Sequence, residues 1–292
     1  MSHSITIADI NDPRTDLAIR ELIRAAYDAP DLIPEKMLAG SIQNNASKPG
    51  FFLIAMEENK IVGCNAFLPN DFLLDGNSYT GYQSCWSATH PQYRGKNIFS
   101  DIINEAKRML KAEGAGFLYG IANEASNPIF TSKLGFTETP SRVLRMLNIP
   151  FIKGTYFTNE TMGSDHHACI INEAQVRDHK LKQFPADVKT VVHNDSWLWG
   201  KLLQKKKYGI RWPVFYVGGI HLASERDLKK LVAAVYASHK VAVIQFFSCQ
   251  THTANVLLKG WKKPAMNGFI FYNLNMPAFT HFNIMIGAID IF

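Results

Sequence analysis

Cysteine is scarce, and its scarcity is informative. Cys64, Cys85, Cys169 and Cys249 are spread along 292 residues, and none stands at the spacing of a zinc site or in the dense pattern of a disulfide-stapled domain. Free thiols in a reducing compartment follow. No apolar run is long enough to span a bilayer. Met1-Ser2-His3-Ser4 leads straight into an alternating pattern, without the basic start and apolar core of a signal peptide. A cytoplasmic location is the expectation. Charge is modest too: 19% of residues are charged and the excess is +6, part of it in the short clusters Lys205-Lys206-Lys207 and Lys262-Lys263. A long basic stripe with interleaved aromatics is missing, which argues against nucleic acid. The excess suits a small polyanion instead. Asp165, His166, His167 and Cys169 stand close in sequence but lack a second cluster to complete four ligands, so no metal is expected.

What is present is an ordinary globular composition, with 47% hydrophobic residues, on a chain long enough for two cores. The pattern divides it into residues 1–150, a connector over 151–190 and a second domain over 191–292. In the first part, residues 5–10 alternate like a strand and residues 16–27 carry apolar side chains at helical spacing. A short helix over 34–42 and three strands over 51–57, 60–68 and 77–89 follow, joined by turns at Asn59 and Gly76. Ile98, Ile102, Ile103, Ala106, Met109 and Leu110 line one face of the next helix, which ends near Gly114. A strand over 117–122, a helix over 126–134 closed by Gly135 and a strand over 143–149 complete the first part. The second part holds a strand over 212–217, a helix over 225–239 and a strand over 241–247. A helix over 252–259 and a strand over 267–274 follow. This order repeats that of residues 99–149, which suggests an internal duplication. Trp197, Trp199 and Trp212 read as core aromatics.

The chemistry concentrates at Gln92-Tyr93-Arg94-Gly95-Lys96-Asn97, where a strand gives way to a helix. The first amides of a helix lack helical partners and its dipole favours negative charge there, so this is a natural anion site. Gly95 lets backbone approach a phosphate, and Arg94 and Lys96 add cations. The segment resembles the signature of the GNAT superfamily of N-acetyltransferases, Gln or Arg, two residues, Gly, one residue, Gly or Ala. Asn97 departs from it at the last position. Ser132-Lys133-Leu134-Gly135-Phe136 resembles a second landmark of that family.

The resemblance implies an α/β (α+β) fold with two GNAT-like domains, each a mixed central sheet flanked by helices, and acyl-coenzyme A as cosubstrate. It assigns the pyrophosphate to the amides of Arg94, Gly95, Lys96, Asn97, Ile98 and Phe99, with Gln92 opening the motif. The pantetheine arm falls to Ser87, Ala88 and Thr89, and an amide near Ala88 would polarise the thioester carbonyl. Asn123 matches a cofactor-contacting Asn of the family, with a simple turn residue as its alternative. Many family members use a Tyr as acid in the helix before Leu-Gly-Phe; here that position is Thr131. His90 and Glu124 are the nearest titratable candidates for a base, although a His before Pro also suits a capping role.

The second half has no such loop before its helix, reading Val217-Gly218-Gly219-Ile220-His221-Leu222-Ala223-Ser224-Glu225-Arg226. It is expected to bind no coenzyme A and to wall an acceptor cleft, with Cys249 and His252 flanking a loop that faces substrate at best. The closing segment, Asn283 to Asp290, resembles that of acyltransferases acting on nucleotide-linked amino sugars. Transfer to the amine of such a sugar, dTDP- or UDP-linked, is therefore expected, with a homodimer allowed. The alternatives are transfer to an amino acid, aminoglycoside or polyamine, and a non-catalytic acyl-CoA-binding module.

Overall fold

The computed structural model describes residues 3–28, 37–42, 48–74, 76–139, 142–147, 157–159, 167–170, 173–207, 209–248, 256–258, 261–264, 268–277 and 281–283. Its elements in chain order begin with β1 (Ser4–Ile7), α1 (Pro13–Tyr27), α2 (Met37–Ile42), β2 (Phe51–Glu57), β3 (Lys60–Leu74), β4 (Asn77–Thr89), α3 (Ile98–Ala112), β5 (Phe117–Ala122), β6 (Thr137–Thr139) and β7 (Arg142–Leu147). They continue with β8 (Phe157–Asn159), β9 (His167–Ile170), α4 (Glu173–Gln183), β10 (Val188–His193), β11 (Ser196–Lys207), β12 (Ile210–His221) and α5 (Glu225–His239). The last strands are β13 (Val243–Ser248), β14 (Val256–Leu258), β15 (Trp261–Pro264), β16 (Gly268–Asn273) and β17 (His281–Asn283). The chain divides into a unit of Met1–Phe72, Ser78–Glu138 and Asn267–Ala278, and a unit of Leu73–Asn77, Thr139–Met266 and Phe279–Phe292. Mixed sheets with helices make this an α+β protein. Among the described residues no helix is long and apolar enough to cross a membrane.

The first unit is built on a sheet whose strands run β1-β2-β3-β4-β5-β16-β6. Helix α1 opens on Asp12, whose carboxylate accepts the amides of Arg14 and Thr15, with Pro13 behind it. It buries Ile19, Leu22 and Ile23 in a cluster with Phe52, Ile54, Cys64 and Ala66. Helix α3 buries Ile98, Ile102, Ile103, Ala106 and Leu110 with Leu53, Ala55 and Val62. Successive residues of β2 thus serve opposite faces, so its Phe-Phe-Leu-Ile-Ala run is apolar throughout and does not alternate.

Strands β4 and β5 are parallel, and their ladder is brief: Gly81 pairs with Phe117, Tyr82 with Leu118 and Gln83 with Tyr119. Beyond Gln83 the strands part, β4 continuing to Thr89 and β5 to Ala122. The close approach at the start of the ladder requires glycine, since a Cβ on Gly81 would lie 2.4 Å from the Phe117 ring. Gly81→Ala should destabilise the unit by about 1–3 kcal/mol through overpacking, read as a melting temperature several degrees lower.

The second unit carries a sheet in the order β10-β11-β12-β13-β7-β15, with α5 packing Leu228, Leu231, Val232 and Val235 against Phe215, Val217, Ile244 and Phe246. Its parallel pair repeats the brief ladder, Val214 with Val243, Phe215 with Ile244 and Tyr216 with Gln245, before β12 runs on to His221. Trp199 is 1% exposed, lodged where a Cβ on Gly218 or Gly219 would fall within 2.5 Å of its indole. Trp212 is 43% exposed, contrary to its expected core role. It sits where β11 and β12 pair with each other beyond the reach of β10 and β13.

Several expectations need refinement or correction. The expected helix over 126–134 is present, with π-helical winding over Ile129–Lys133. Residues 256–258 of the expected helix over 252–259 form β14, paired with β8. Helix α4 lies within the partly helical connector over 151–190, and β10 begins at Val188, before the expected start of the second domain. The last strands of the two halves are exchanged: β16 pairs with β5 in the first sheet, and β7 pairs with β13 in the second. Asp165 and His166, Cys249 and His252, and the tail from Ile284 lie outside the described residues.

Candidate active site

The site grows from the end of β4. Trp86 has φ 50° within that strand, a left-handed residue that interrupts the two-residue alternation. Consequently Ser84 and Ser87, three apart, both donate their hydroxyls to Oδ1 of buried Asn65 on β3, Ser84 at 3.1 Å. The backbone of Ala88 faces the Cys64 thiol on β3, and His90 N–H donates to Val62 O at 2.9 Å. Alternation along the strand therefore turns the backbone of Ser87 and Thr89 to the other edge, the one left open by the departure of β5. There Ser87 O accepts a hydrogen bond from the Tyr27 hydroxyl at 2.8 Å.

After β4, a single 3-10 turn over Pro91–Tyr93 leads into the loop. His90 caps it: its Nδ1 accepts from Gln92 N–H at 3.4 Å, and its ring meets Tyr93 edge-on. Partial burial and the nearby Lys60 lower its pKa. Gly95 has φ 82°, and a Cβ there would meet no atom within 4 Å. Asn97 has φ 61° and caps no amide with its side chain, and the α3 ladder begins only at Asp101 N–H, which donates to Asn97 O at 3.0 Å. Ile98 anchors the helix start, with its Cγ2 2.4 Å from where a Gly63 Cβ would be.

Both cations of the loop are placed by neighbours. Lys96 Nζ lies 3.6 Å from Glu57 Oε1 and 4.4 Å from the Tyr93 ring centre. Arg94 Nη2 donates to Ala26 O at 2.8 Å, tying the loop to the last turn of α1. An open cradle over Gly95, amides free of a side-chain cap and two cations fit a pyrophosphate. The left-handed backbone at Asn97 explains why this residue can stand where a small one is usual, since Asn tolerates that region better than most.

The other expected residues are placed as follows. Asn123 Oδ1 accepts the amides of Ala125 and Ser126 at 3.1 and 2.9 Å, stabilising the turn after β5. Glu124 is exposed in that turn. Thr131 donates its hydroxyl to Asn127 O at 2.9 Å, and Phe130 is buried against Phe99 and Phe136. The structure thus gathers Ser87 to Phe99 along one continuous edge, and sets Asn123 and Glu124 at the end of the other splayed strand. Tyr27, Asn65 and Glu57 escaped the sequence reading, because each meets the site through pairings remote in sequence.

Cys64 is fully buried, and burial pushes its thiol up to about 12. It should resist iodoacetamide in the native protein at pH 8 and react once the chain is unfolded; mass spectrometry of labelled peptides checks this. Among the described residues no three His, Cys, Asp or Glu side chains gather as a metal site would require.

At the matching place in the second unit the helix start is closed. Ser224 caps α5 through Arg226 N–H. Buried Asp227 accepts the Ser196 hydroxyl at 2.8 Å, and that hydroxyl in turn accepts Ala223 N–H at 2.9 Å. A carboxylate already sits where an anion would bind.

Comparison with known proteins agrees with this geometry. Residues 19–139 match the family described as acetyltransferase (GNAT) domain. A search of curated proteins finds no match. A probable N-acyltransferase from Enterococcus faecalis shares the fold with TM-score 0.61 at 12% identity, over 94% of this chain and 73% of that one. GCN5-related N-acetyltransferases from Kribbella flavida and Anabaena variabilis superpose with TM-scores of 0.60 and 0.61 at 11% and 10% identity. Each covers 94% of this chain, which spans 72% and 73% of theirs. At such identities the likeness concerns the fold, whereas the family match falls on the loop and splay themselves. The match to the acetyltransferase (GNAT) domain spans residues 19–139, and the protein is an acyltransferase whose cosubstrate is acyl-coenzyme A.

Proposed function

We propose that this protein transfers an acyl group from acyl-coenzyme A to the amine of a nucleotide-linked amino sugar, by direct attack in a ternary complex. The observation that carries the transfer is the open edge of β4 at Ser87 and Thr89, continuous with the loop at Gly95. Coenzyme A supplies the thioester when bound. The amides from Gly95 to Phe99, with Arg94 and Lys96, hold its pyrophosphate, and the Ser87–Thr89 edge orients the pantetheine. A backbone amide on that edge polarises the thioester carbonyl as negative charge develops.

The second unit, in this reading, is a GNAT-like repeat without cofactor that binds the acceptor. Its repeated strand order and brief parallel ladder support the repeat. Ser224 and Asp227 at the start of α5 support the lost cofactor. An anionic acceptor is favoured by the net charge of +6. The test measures thiol release from acetyl-CoA with dTDP- and UDP-linked amino sugars, beside amino acids, aminoglycosides and polyamines. Turnover confined to the nucleotide sugars supports the proposal; turnover confined to cationic amines overturns the acceptor. The reading includes a homodimer, which sedimentation velocity checks.

A further inference from the structure

We propose that Tyr27 is a catalytic residue, the proton donor to the departing thiolate. The inference rests on acyl transfer at this site, and it is independent of the acceptor's identity. Its ground is position. The Tyr27 hydroxyl lies 2.8 Å from Ser87 O, on the edge of β4 that β5 leaves open, so the phenol stands beside the backbone that orients the thioester. The preceding residue is held as well, because Arg94 of the phosphate loop donates to Ala26 O. One turn of α1 is therefore fastened both to the loop and to the reacting edge. Tyr27 is 50% exposed, so its oxygen can reach a bound molecule.

The other candidates are less well placed for this step. The Nδ1 of His90 faces the Gln92 amide of the 3-10 turn, the Thr131 hydroxyl donates to Asn127 O within its own helical turn, and Glu124 is exposed. The Tyr27 hydroxyl donates as well, but to a carbonyl on the open edge of β4, from which its proton can pass to a bound sulfur. Burial and the neighbouring Cys64 and Cys85 thiols raise the Tyr27 pKa, which keeps the phenol protonated at neutral pH and suits an acid.

The step balances simply. The amine nitrogen bonds to the thioester carbon, and the carbon–sulfur bond breaks with its electron pair on sulfur. Sulfur takes the phenolic proton, and the proton shed by the amide nitrogen returns through solvent to the phenolate. The products are an amide and a thiol.

The experiment uses acetyl-CoA with hydroxylamine, a small amine that needs no acceptor pocket. Tyr27→Phe should lower kcat about 100-fold, at the low end for lost general-acid catalysis. The dissociation constant for coenzyme A, measured by calorimetry, should stay within about twofold, since no phosphate contact is removed. In a second variant, 3,5-difluorotyrosine at position 27 lowers the phenol's own pKa. The alkaline limb of kcat should move to lower pH with it. Cys64 on β3 and Cys85 on β4 are the titratable groups that act on Tyr27, Arg94 of the loop donates to the residue before it, and all three are the same in both proteins. A Phe variant with unchanged kcat, or a fixed alkaline limb, overturns the proposal, as does a wild-type protein that releases no thiol with hydroxylamine. Failure of the amino-sugar panel alone would overturn the acceptor and leave Tyr27 in place.

Discussion

Gly95→Val should lower kcat/KM for acyl-coenzyme A by about 100-fold or more, mainly through KM, with the protein still folded. Two effects combine. Gly95 sits at φ 82°, a region that costs a residue with a Cβ roughly 1–2 kcal/mol and a β-branched one more. The valine side chain would also project into the cradle that a phosphate must enter. Since a Cβ there meets nothing within 4 Å, the fold itself meets no clash. A hundredfold loss corresponds to about 2.7 kcal/mol of transition-state binding, which strain and obstruction can supply together.

Asn97→Gly provides the contrast. At φ 61° with no capping bond from its side chain, Asn97 contributes backbone geometry that glycine adopts more easily. Coenzyme A affinity should therefore stay within about threefold, in keeping with a cap change to Gly worth only a few tenths of a kcal/mol. Calorimetric titration of each variant, with a thermal melt beside it, separates binding from stability. A Gly95→Val protein that binds coenzyme A normally would remove the pyrophosphate from this loop.

The loop was legible in the sequence because everything it needs is local. The strand before it, Gly95, two cations and the helix after it are adjacent in the chain, and the structure puts them together without remote partners. Helix α5, over residues 225–239, was legible for the same reason, since 3.6-residue periodicity and the Ser224 cap are both local signals. Tyr27 was not, because its bond to Ser87 crosses 60 positions and nothing in an amphipathic helix says what its last turn will meet. Strands β10 and β11 went unseen for another reason. Val188–His193 mixes Lys and His with valines, and β11 carries the exposed Lys205 and Lys206 towards its outer end, so neither shows a clean alternation. The strand exchange was beyond periodicity altogether, since residues 143–149 and 267–274 each look like the natural end of their own half.

That exchange leads to the second large effect: residues 1–150 produced alone should not fold, although they contain the whole phosphate loop. The missing piece is β16. It pairs with β5 from Gly268 opposite Ala122 to Asn273 opposite Phe117, so without it the inner edge of the sheet is bare. Phe269 and Ile270 are fully buried, Phe271 and Leu274 nearly so. At about 1.5–3 kcal/mol for each buried side chain, the four contribute roughly 6–12 kcal/mol, comparable with the whole stability of a typical domain. Polar ties go as well: the Asn275 amide donates to Ala115 O at 2.8 Å and to Lys111 O at 3.1 Å at the end of α3, and Lys107 lies over the Tyr272 ring. Circular dichroism and coenzyme A binding should show the fragment unfolded and inactive. A version carrying residues 267–278 after residue 139, through a flexible linker, should recover coenzyme A binding, because it restores the missing strand and leaves the rest of the second unit out. Folding of the bare fragment with normal affinity would show that β5 can close its edge by other means and that the exchanged strand is dispensable.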